Sequence, residues 1–368
     1  MTSKLFQPLK IGNVELSNRI VLAPLTRFRA DDDHVPLPFV PEYYAQRGSY
    51  PGTLLITEAT FIAPQAGGFS NAPGIWSPAQ IASWKNVTDA VHKKGSFIFL
   101  QLWALGRAAE ADQLKAELGD KGVVKSASNI PFKGGATPQA LTEEEIHEYI
   151  GLYAQAAKNA IAAGFDGVEI HSANGYLIDQ FLQDVSNDRT DAWGGSIEKR
   201  ARFGLEVAKV VVEAVGAEKT GIRISPFSGF QGMKMNEPKP QFTYYLEQLQ
   251  ELKLAYVHVV ESQISGNADV EMTDKIDFVI DVWGKTSPVL IAGGFKADSA
   301  YRAVDEEYKD SDVAIVFGRY FISNPDLVYR VKEKIEFTPY DRKKFYNKKQ
   351  VDGYTTWAFS KEFEAAKL

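Results

Sequence analysis

Eight short runs rich in β-branched and aliphatic residues recur along the chain, at 20–24, 54–60, 96–102, 167–171, 221–226, 256–261, 289–293 and 313–318. Most are followed by a stretch with helical periodicity. Strand then helix, eight times over, is the pattern of a closed parallel (β/α)8 barrel, the TIM-barrel class of α/β fold. Such barrels gather their chemistry at the C-terminal ends of the strands. The fourth, seventh and eighth runs end in His171, Gly293-Gly294 and Gly318-Arg319. A histidine beside glycine-rich turns and an arginine points to a ligand that carries a phosphate.

The 368 residues are enough for a single barrel domain over 1–368 with enlarged βα loops. A hydrophobic content of 45% and a charged content of 24% are ordinary for a soluble globular chain and supply a large core. The net charge of −6 gives no reason to expect nucleic acid or an anionic membrane as partner, so an anionic ligand needs a local basic pocket. No cysteine is present, which excludes disulfides, thiol nucleophiles, cysteine-ligated zinc and Fe–S clusters. The N-terminal residues lack the apolar core of a signal peptide, and no run approaches membrane-spanning length. A cytoplasmic location fits. The terminal Ala366-Lys367-Leu368 is a near relative of the Ser-Lys-Leu peroxisomal address, which makes the peroxisome the other expectation.

Residues 5–19 read as an amphipathic hairpin with Gly12-Asn13 at its turn, placed to plug the bottom of the barrel. Helix starts are marked by Ser77-Pro78-Ala79-Gln80, by Thr142 with Glu145, and by Ser196; Thr273 and Asn324-Pro325 mark two more. Two excursions break the rhythm, 103–140 and 184–195, and both leave the C-terminal side of a strand. The tail after Ile335, rich in Lys, Tyr and Phe, is expected to wrap the barrel surface.

His171-Ser172-Ala173-Asn174-Gly175-Tyr176 follows the fourth strand directly. His171 and Asn174 can each donate to one acceptor oxygen, such as that of a ketone or nitro group, and the Tyr176 phenol is a natural proton donor. The same stretch also reads as turn chemistry before a helix. Arg223 stands inside the apolar fifth strand and needs an anionic or electron-rich partner, for which a flavin N1–C2 carbonyl edge or a buried salt bridge would both serve. Gln101 closes the third strand, where it suits either a ring with donors and acceptors or the barrel backbone; Trp103 beside it would form a wall. Gly293, Gly294 and Gly318 permit close backbone approach to a phosphate, with Arg319 adding charge, or they are two tight turns. Thr26 offers a hydroxyl at the end of strand one, and the small Ala59 near the end of strand two leaves room for a flat ring.

No G-x-G-x-x-G, no complete phosphate-loop signature and no H-E-x-x-H occurs, and the remaining histidines show no metal-ligand spacing. No metal is therefore expected. A barrel hydrolase is a rival reading, because Glu169 in strand four and Glu261 at the end of strand six make a conceivable carboxylate pair.

Taken together these residues resemble the old yellow enzyme family of FMN-dependent ene-reductases, in the classical branch of yeasts, fungi and plants. The likeness runs from Leu5-Phe6-Gln7-Pro8-Leu9-Lys10-Ile11-Gly12 to Gly353-Tyr354. Its most specific parts are Asn18-Arg19-Ile20-Val21-Leu22-Ala23-Pro24-Leu25-Thr26-Arg27, the His171–Tyr176 stretch, and Asn187-Asp188-Arg189-Thr190-Asp191 with Trp193-Gly194-Gly195-Ser196. The resemblance implies that Thr26, Ala59, Gln101 and Arg223 contact the isoalloxazine ring and that Gly293, Gly294, Gly318 and Arg319 hold the FMN phosphate. It further implies that His171 and Asn174 bind the substrate oxygen, that Tyr176 donates the proton, and that Trp103 and Tyr354 shape the substrate pocket. The implied reaction reduces the activated C=C bond of an enone, enal or nitroalkene. Its hydride comes from NADPH (NADH possible) through FMN N5, and its proton from Tyr176. Many relatives carry His-x-x-His where this chain has His171 and Asn174. Some fungal alkaloid-pathway relatives have Phe at the proton-donor position; Tyr176 implies ordinary reductase behaviour. A flavin-binding barrel without reductase turnover is a third reading. The resemblance leaves monomer or homodimer open.

Overall fold

A computed structural model describes residues 3–265, 268–271 and 274–366. The helix start expected at Thr273 and the last two residues of the Ala366-Lys367-Leu368 tripeptide lie outside them. Eight parallel strands form the barrel: β1 Ile20–Leu22, β2 Leu54–Ile56, β3 Phe97–Trp103, β4 Gly167–Ser172, β5 Thr220–Ile224, β6 Tyr256–Val260, β7 Val289–Ala292 and β8 Val313–Phe317. Each pairs with its neighbours in sequence, β8 pairs with β1, and the ring is complete through β2 and β3. All eight expected strands are therefore found, β1 and β2 ending two and four residues before their apolar runs do.

Strand side chains alternate between two cores, as a period of two requires. Leu100, Leu102, Ile170, Ile222, Ile224, Val257, Val259 and Ile315 face outward into the helical layer. The inner set includes Val21, Leu54, Ile56, Phe99, Leu290, Ala314 and Val316. Because Leu100 and Leu102 point out, Gln101 points in; the same alternation turns Glu169 and His171 of β4 and Arg223 of β5 inward. The barrel interior thus changes from apolar at its base to polar at its mouth.

The N-terminal hairpin pairs Leu9–Ile11 with Val14–Leu16. Leu9, Ile11, Val14 and Leu16 join the inner core and plug the base as expected. Each buried side chain of this kind contributes about 2 kcal/mol. The turn has to be glycine: Gly12 has φ +54, and a Cβ there would fall 1.8 Å from the Glu218 carbonyl oxygen.

The helices that alternate with the strands are α1 Val40–Arg47, α2 Pro78–His92, α3 Glu143–Ala162, α4 Ile197–Val215, α5 Pro238–Gln250, α6 Asp277–Trp283, α7 Ala297–Arg302 and α8 Leu327–Glu333. Ser77 and Thr142 make reciprocal capping boxes with Gln80 and Glu145, and Ser196 accepts from the Lys199 N–H. The last barrel helix starts later than Asn324-Pro325 suggests, with Asp326 at its N-cap position. The 103–140 excursion carries a helix, Ala111–Leu118, and a two-stranded piece pairing Lys125–Ser126 with Gln139–Ala140. The 184–195 excursion is fastened by Arg189, which donates to the carbonyls of Ala127 and Leu141, and by Asn187, which donates to those of Phe181 and Trp193. Both excursions rise over the same end of the barrel. Among the described residues no helix is long and apolar enough to cross a membrane.

Candidate active site

A cavity of about 1140 Å³ opens at the C-terminal end of the barrel. Every site residue expected from the sequence except Tyr354 lines it, including Thr26, Ala59, Gln101, Trp103, His171 and Asn174. Tyr176, Arg223, Gly293, Gly294, Gly318 and Arg319 complete the set. Pockets for one small ligand run to roughly 300–1,000 Å³, so this space has room for a cofactor together with a substrate.

One wall is built by the turn after β4. Asn174 has φ +57 and Gly175 φ +74, two successive left-handed residues that fold the chain back sharply. The Asn174 N–H donates to Ser225 Oγ at 2.7 Å and the Leu177 N–H to the Ala104 carbonyl at 3.1 Å. The turn is thereby tied to β5 and β3. It brings the Tyr176 ring to 5.0 Å from that of His171 and 5.0 Å from that of Trp103. Trp103 lies nearly parallel to His171, with an interplanar angle of 17°, and stacks on Phe61 at 4.8 Å.

The electrostatics of this wall follow from burial. Burial drives the His171 imidazole well below its usual pKa, with Arg223 and His258 adding to the effect, so the ring is neutral at pH 7. Its Nδ1 is buried with no hydrogen-bond partner in the protein. Burial pushes the Tyr176 phenol far up, so it keeps its proton.

Beneath the cavity lies a carboxylate inside the barrel. Glu169 accepts from Gln101 Nε2 at 2.7 Å, from Tyr256 Oη at 3.1 Å and from His258 Nδ1 at 2.8 Å. Burial disfavours its charge, but the groups around it, His258 foremost and then Arg223 and Gln101, outweigh this and hold it below the usual range. Burial keeps His258 neutral. Since a carboxylate only accepts, the Gln101 amide must turn its NH2 down to Glu169. Arg223 is buried, with burial lowering its pKa and Glu169 opposing, and its Nε has no partner in the protein. A buried guanidinium left with open donors fits a flat, electron-rich ring edge.

At the opposite end, Gly293 and Gly294 follow β7 and Gly318 follows β8. Gly294 has φ +70, which favours glycine, whereas a Cβ on Gly293 would fall 1.6 Å from Glu261 Oε2, a side-chain end that would have to swing aside. Gly318 is at negative φ, and a Cβ there would be 3.4 Å from Leu25 Cδ2, so its smallness serves the cavity rather than the backbone. Arg319 lines the cavity but ion-pairs with Asp269 at 2.7 Å, a partner 50 residues away with no local pattern linking the two. These positions fit a phosphate-bearing flavin: a glycine cradle with a cation at one end, a guanidinium and an amide in the middle, and a small residue, Ala59, in the cavity wall.

Tyr354 departs from expectation. It is 0% exposed, stacks on Tyr43 at 4.0 Å and lies beneath the guanidiniums of Arg27 and Arg29. It supports the tail instead of lining the cavity. The tail contributes Phe345 and Tyr346 to the wall, and the 103–140 loop contributes Phe132 and Ala136. Gln231, left-handed at φ +57, also lines it. None of these carries a local sequence signal, because each reaches the site from a loop of irregular path. Neither Glu169 nor Glu261 lines the cavity, and Glu261 is bonded to Gln263 at 2.7 Å, so they do not form the facing pair that a hydrolase needs.

The sequence profile of the NADH:flavin oxidoreductase / NADH oxidase family matches residues 4–337. The chain is 61% identical to the chanoclavine-I aldehyde reductase fgaOx3 of Penicillium roqueforti, over 99% of this chain and 98% of that one. It is 50% identical, over 98% and 97%, to a protein of Epichloe festucae var. lolii named a probable inactive reductase, easA. Among solved structures, the old yellow enzyme of Pichia sp. AKU4542 superposes with a TM-score of 0.89 at 41% identity, covering 98% of this chain and 94% of that one. Profile, relatives and barrel geometry agree, and the chain belongs to the NADH:flavin oxidoreductase / NADH oxidase family, within its old yellow enzyme group of FMN flavoproteins.

Proposed function

We propose that this protein reduces the activated C=C bond of α,β-unsaturated aldehydes, ketones or nitro compounds, with NADPH (NADH possible) as electron donor. The single observation that carries the proposal is the pairing, at one cavity wall, of a neutral imidazole with an unpartnered Nδ1 and a protonated phenol 5.0 Å away, ring to ring. The name of the Penicillium roqueforti relative favours an enal among these substrates.

FMN, when bound, supplies the hydride. Thr26, Ala59, Gln101 and Arg223 would hold its ring, and Gly293, Gly294, Gly318 and Arg319 its phosphate, for which Arg319 must exchange Asp269 for the ligand. His171 and Asn174 donate to the substrate oxygen, where negative charge builds as the alkene is reduced. A neutral donor in a water-poor cavity stabilises that charge without first giving up a proton of its own. Tyr176 gives its proton to the α-carbon, and its raised pKa keeps it charged with that proton at any working pH. Trp103 fixes the plane in which the substrate lies.

The test is direct. Purified protein should be yellow, and should oxidise NADPH in a manner dependent on cyclohexenone. Tyr176→Phe should slow the alkene step by about 100-fold while leaving flavin reduction by NADPH nearly unchanged. A colourless protein that takes up no FMN overturns the proposal. A yellow protein inert toward every enone and enal leaves flavin binding without turnover.

A further inference from the structure

The turn that presents Asn174 and Tyr176 is held by side chains that touch neither cavity nor ligand. Two consecutive left-handed residues leave the Gly175 peptide outside any regular ladder, and buried backbone groups require partners. The short helix Leu177–Leu182 supplies them. Asp179 Oδ2 accepts the Gly175 N–H at 2.8 Å, and Gln180 Nε2 donates to the Gly175 carbonyl at 2.7 Å.

Gln180 does more than close the turn. It is 0% exposed. Its Nε2 also donates to the Leu105 carbonyl at 2.9 Å, while its Oε1 accepts from the Arg107 N–H at 3.0 Å and from Ser126 Oγ at 2.8 Å. Two donors and two acceptor sites are all used, on two different βα loops. Carbonyls on one side and donors on the other fix the amide in one orientation. The loop after β3 is shaped to receive it: Gly106 has φ +61, and a Cβ there would fall 2.0 Å from Gln180 Oε1. Residues Ala108 and Ala109, just beyond, line the cavity.

We propose that Gln180 is a positioning residue for the alkene-reduction step, locking the turn that carries Asn174 and Tyr176 to the β3 loop at one fixed separation. This rests on the reductase reading above. A proton donor displaced by about 1 Å costs as much as 100-fold in rate, whereas the flavin-ring and phosphate residues stand within barrel strands or on other loops, and Gln180 bonds to none of them. Gln180→Glu keeps the acceptor but faces two carbonyls with no donor. Gln180→Met keeps the volume and loses both functions. Gly106→Ala should displace the same amide from the other side.

The experiment measures, on FMN-loaded protein, flavin reduction by NADPH and flavin reoxidation by cyclohexenone separately, together with p-hydroxybenzaldehyde affinity by spectral titration. Gln180→Met and Gly106→Ala should slow reoxidation by about 10- to 100-fold and weaken phenol binding, with flavin content and NADPH-driven reduction within about twofold of wild type. In a Tyr176→Phe background the same changes should slow reoxidation less than they do alone, because the proton donor they position is already gone and only Asn174 is left to displace. Equal slowing of both half-reactions, or full additivity with Tyr176→Phe, overturns the proposal. Should Gln180→Glu fail to fold, the other two variants carry the test. Active wild-type protein with indifferent variants sinks this inference alone; wild-type protein inert toward enones sinks the reductase reading and this inference with it.

Discussion

His171 serves an incipient oxyanion, in the proposed reaction, as a neutral ring with a free N–H, and its surroundings explain why it stays neutral. Burial, Arg223 and His258 all act against the imidazolium. Its protonation therefore lies below the usual value of about 6.5. The pH profile of alkene reduction should accordingly show no break near 6.5 from this residue as pH falls from 8 to 6. A break there that vanished in His171→Asn would show that the ring titrates normally and is solvated. Replacing His171 and Asn174 together by alanine should cost about 3 kcal/mol or more of barrier, at least 100-fold, and abolish the p-hydroxybenzaldehyde charge-transfer band. Unchanged phenol affinity in that double variant would refute the oxyanion assignment. These residues were legible in the sequence because three hydrogen-bonding side chains crowd one strand end. The Asp269 partner of Arg319 was not, since the pairing joins two loops through space alone.

Loops and tail show where sequence pattern stops informing. A short aliphatic run locates a strand, and a capping box starts a helix, because both are local. The path of the tail is set by long-range bonds from the end of β1. Arg29 donates to the carbonyls of Phe345, Asp352 and Gln350 at 2.8, 3.0 and 3.0 Å, and Arg27 to those of Phe345 and Gly353 at 3.0 and 2.8 Å. Two arginines, one and three residues beyond Thr26, thus bind the segment that brings Phe345 and Tyr346 to the cavity, while Tyr354 packs beneath them. An aromatic-rich tail reads equally well with either tyrosine at the site, and only this clasp decides. Burial, with Arg27 adding to it, lowers Arg29 to about 10, so it remains charged at neutral pH. Arg29→Met should release the tail: tryptic cleavage at Lys343, Lys344 or Lys348 should accelerate about tenfold or more, with the barrel itself resistant. Cleavage at the wild-type rate would show that packing alone holds the segment.

Across the molecule, the apolar framework and the buried charges follow different rules of legibility. A parallel barrel covered by helices turns each strand into a nearly continuous apolar run, and its eight repeats made the fold readable end to end. Charges inside it are stabilised by partners distant in sequence. Glu169 meets His258 two strands away, and Glu58, just past β2, meets the Arg27 N–H of the loop after β1. Glu58 is the instructive case. It is 2% exposed, and its Oε2 accepts from the Arg27 N–H at 2.9 Å. Burial pushes its pKa up to about 7 despite the Arg27 and Arg29 charges. The folded state then keeps a proton that the unfolded state releases above about pH 4.5. Its contribution to stability is complete below that value, declines as pH rises, and is lost above 7. Glu58→Gln removes the ionisation. Relative to wild type it should therefore become more stabilising between pH 5 and pH 8, by about 3 kcal/mol, the equivalent of that shift. Urea unfolding of both proteins at the two pH values measures the difference. A gap between variant and wild type that stayed constant with pH would mean that the arginine clasp keeps Glu58 ionised throughout, and that the charge of the tail clasp is balanced in the folded state at every pH tested.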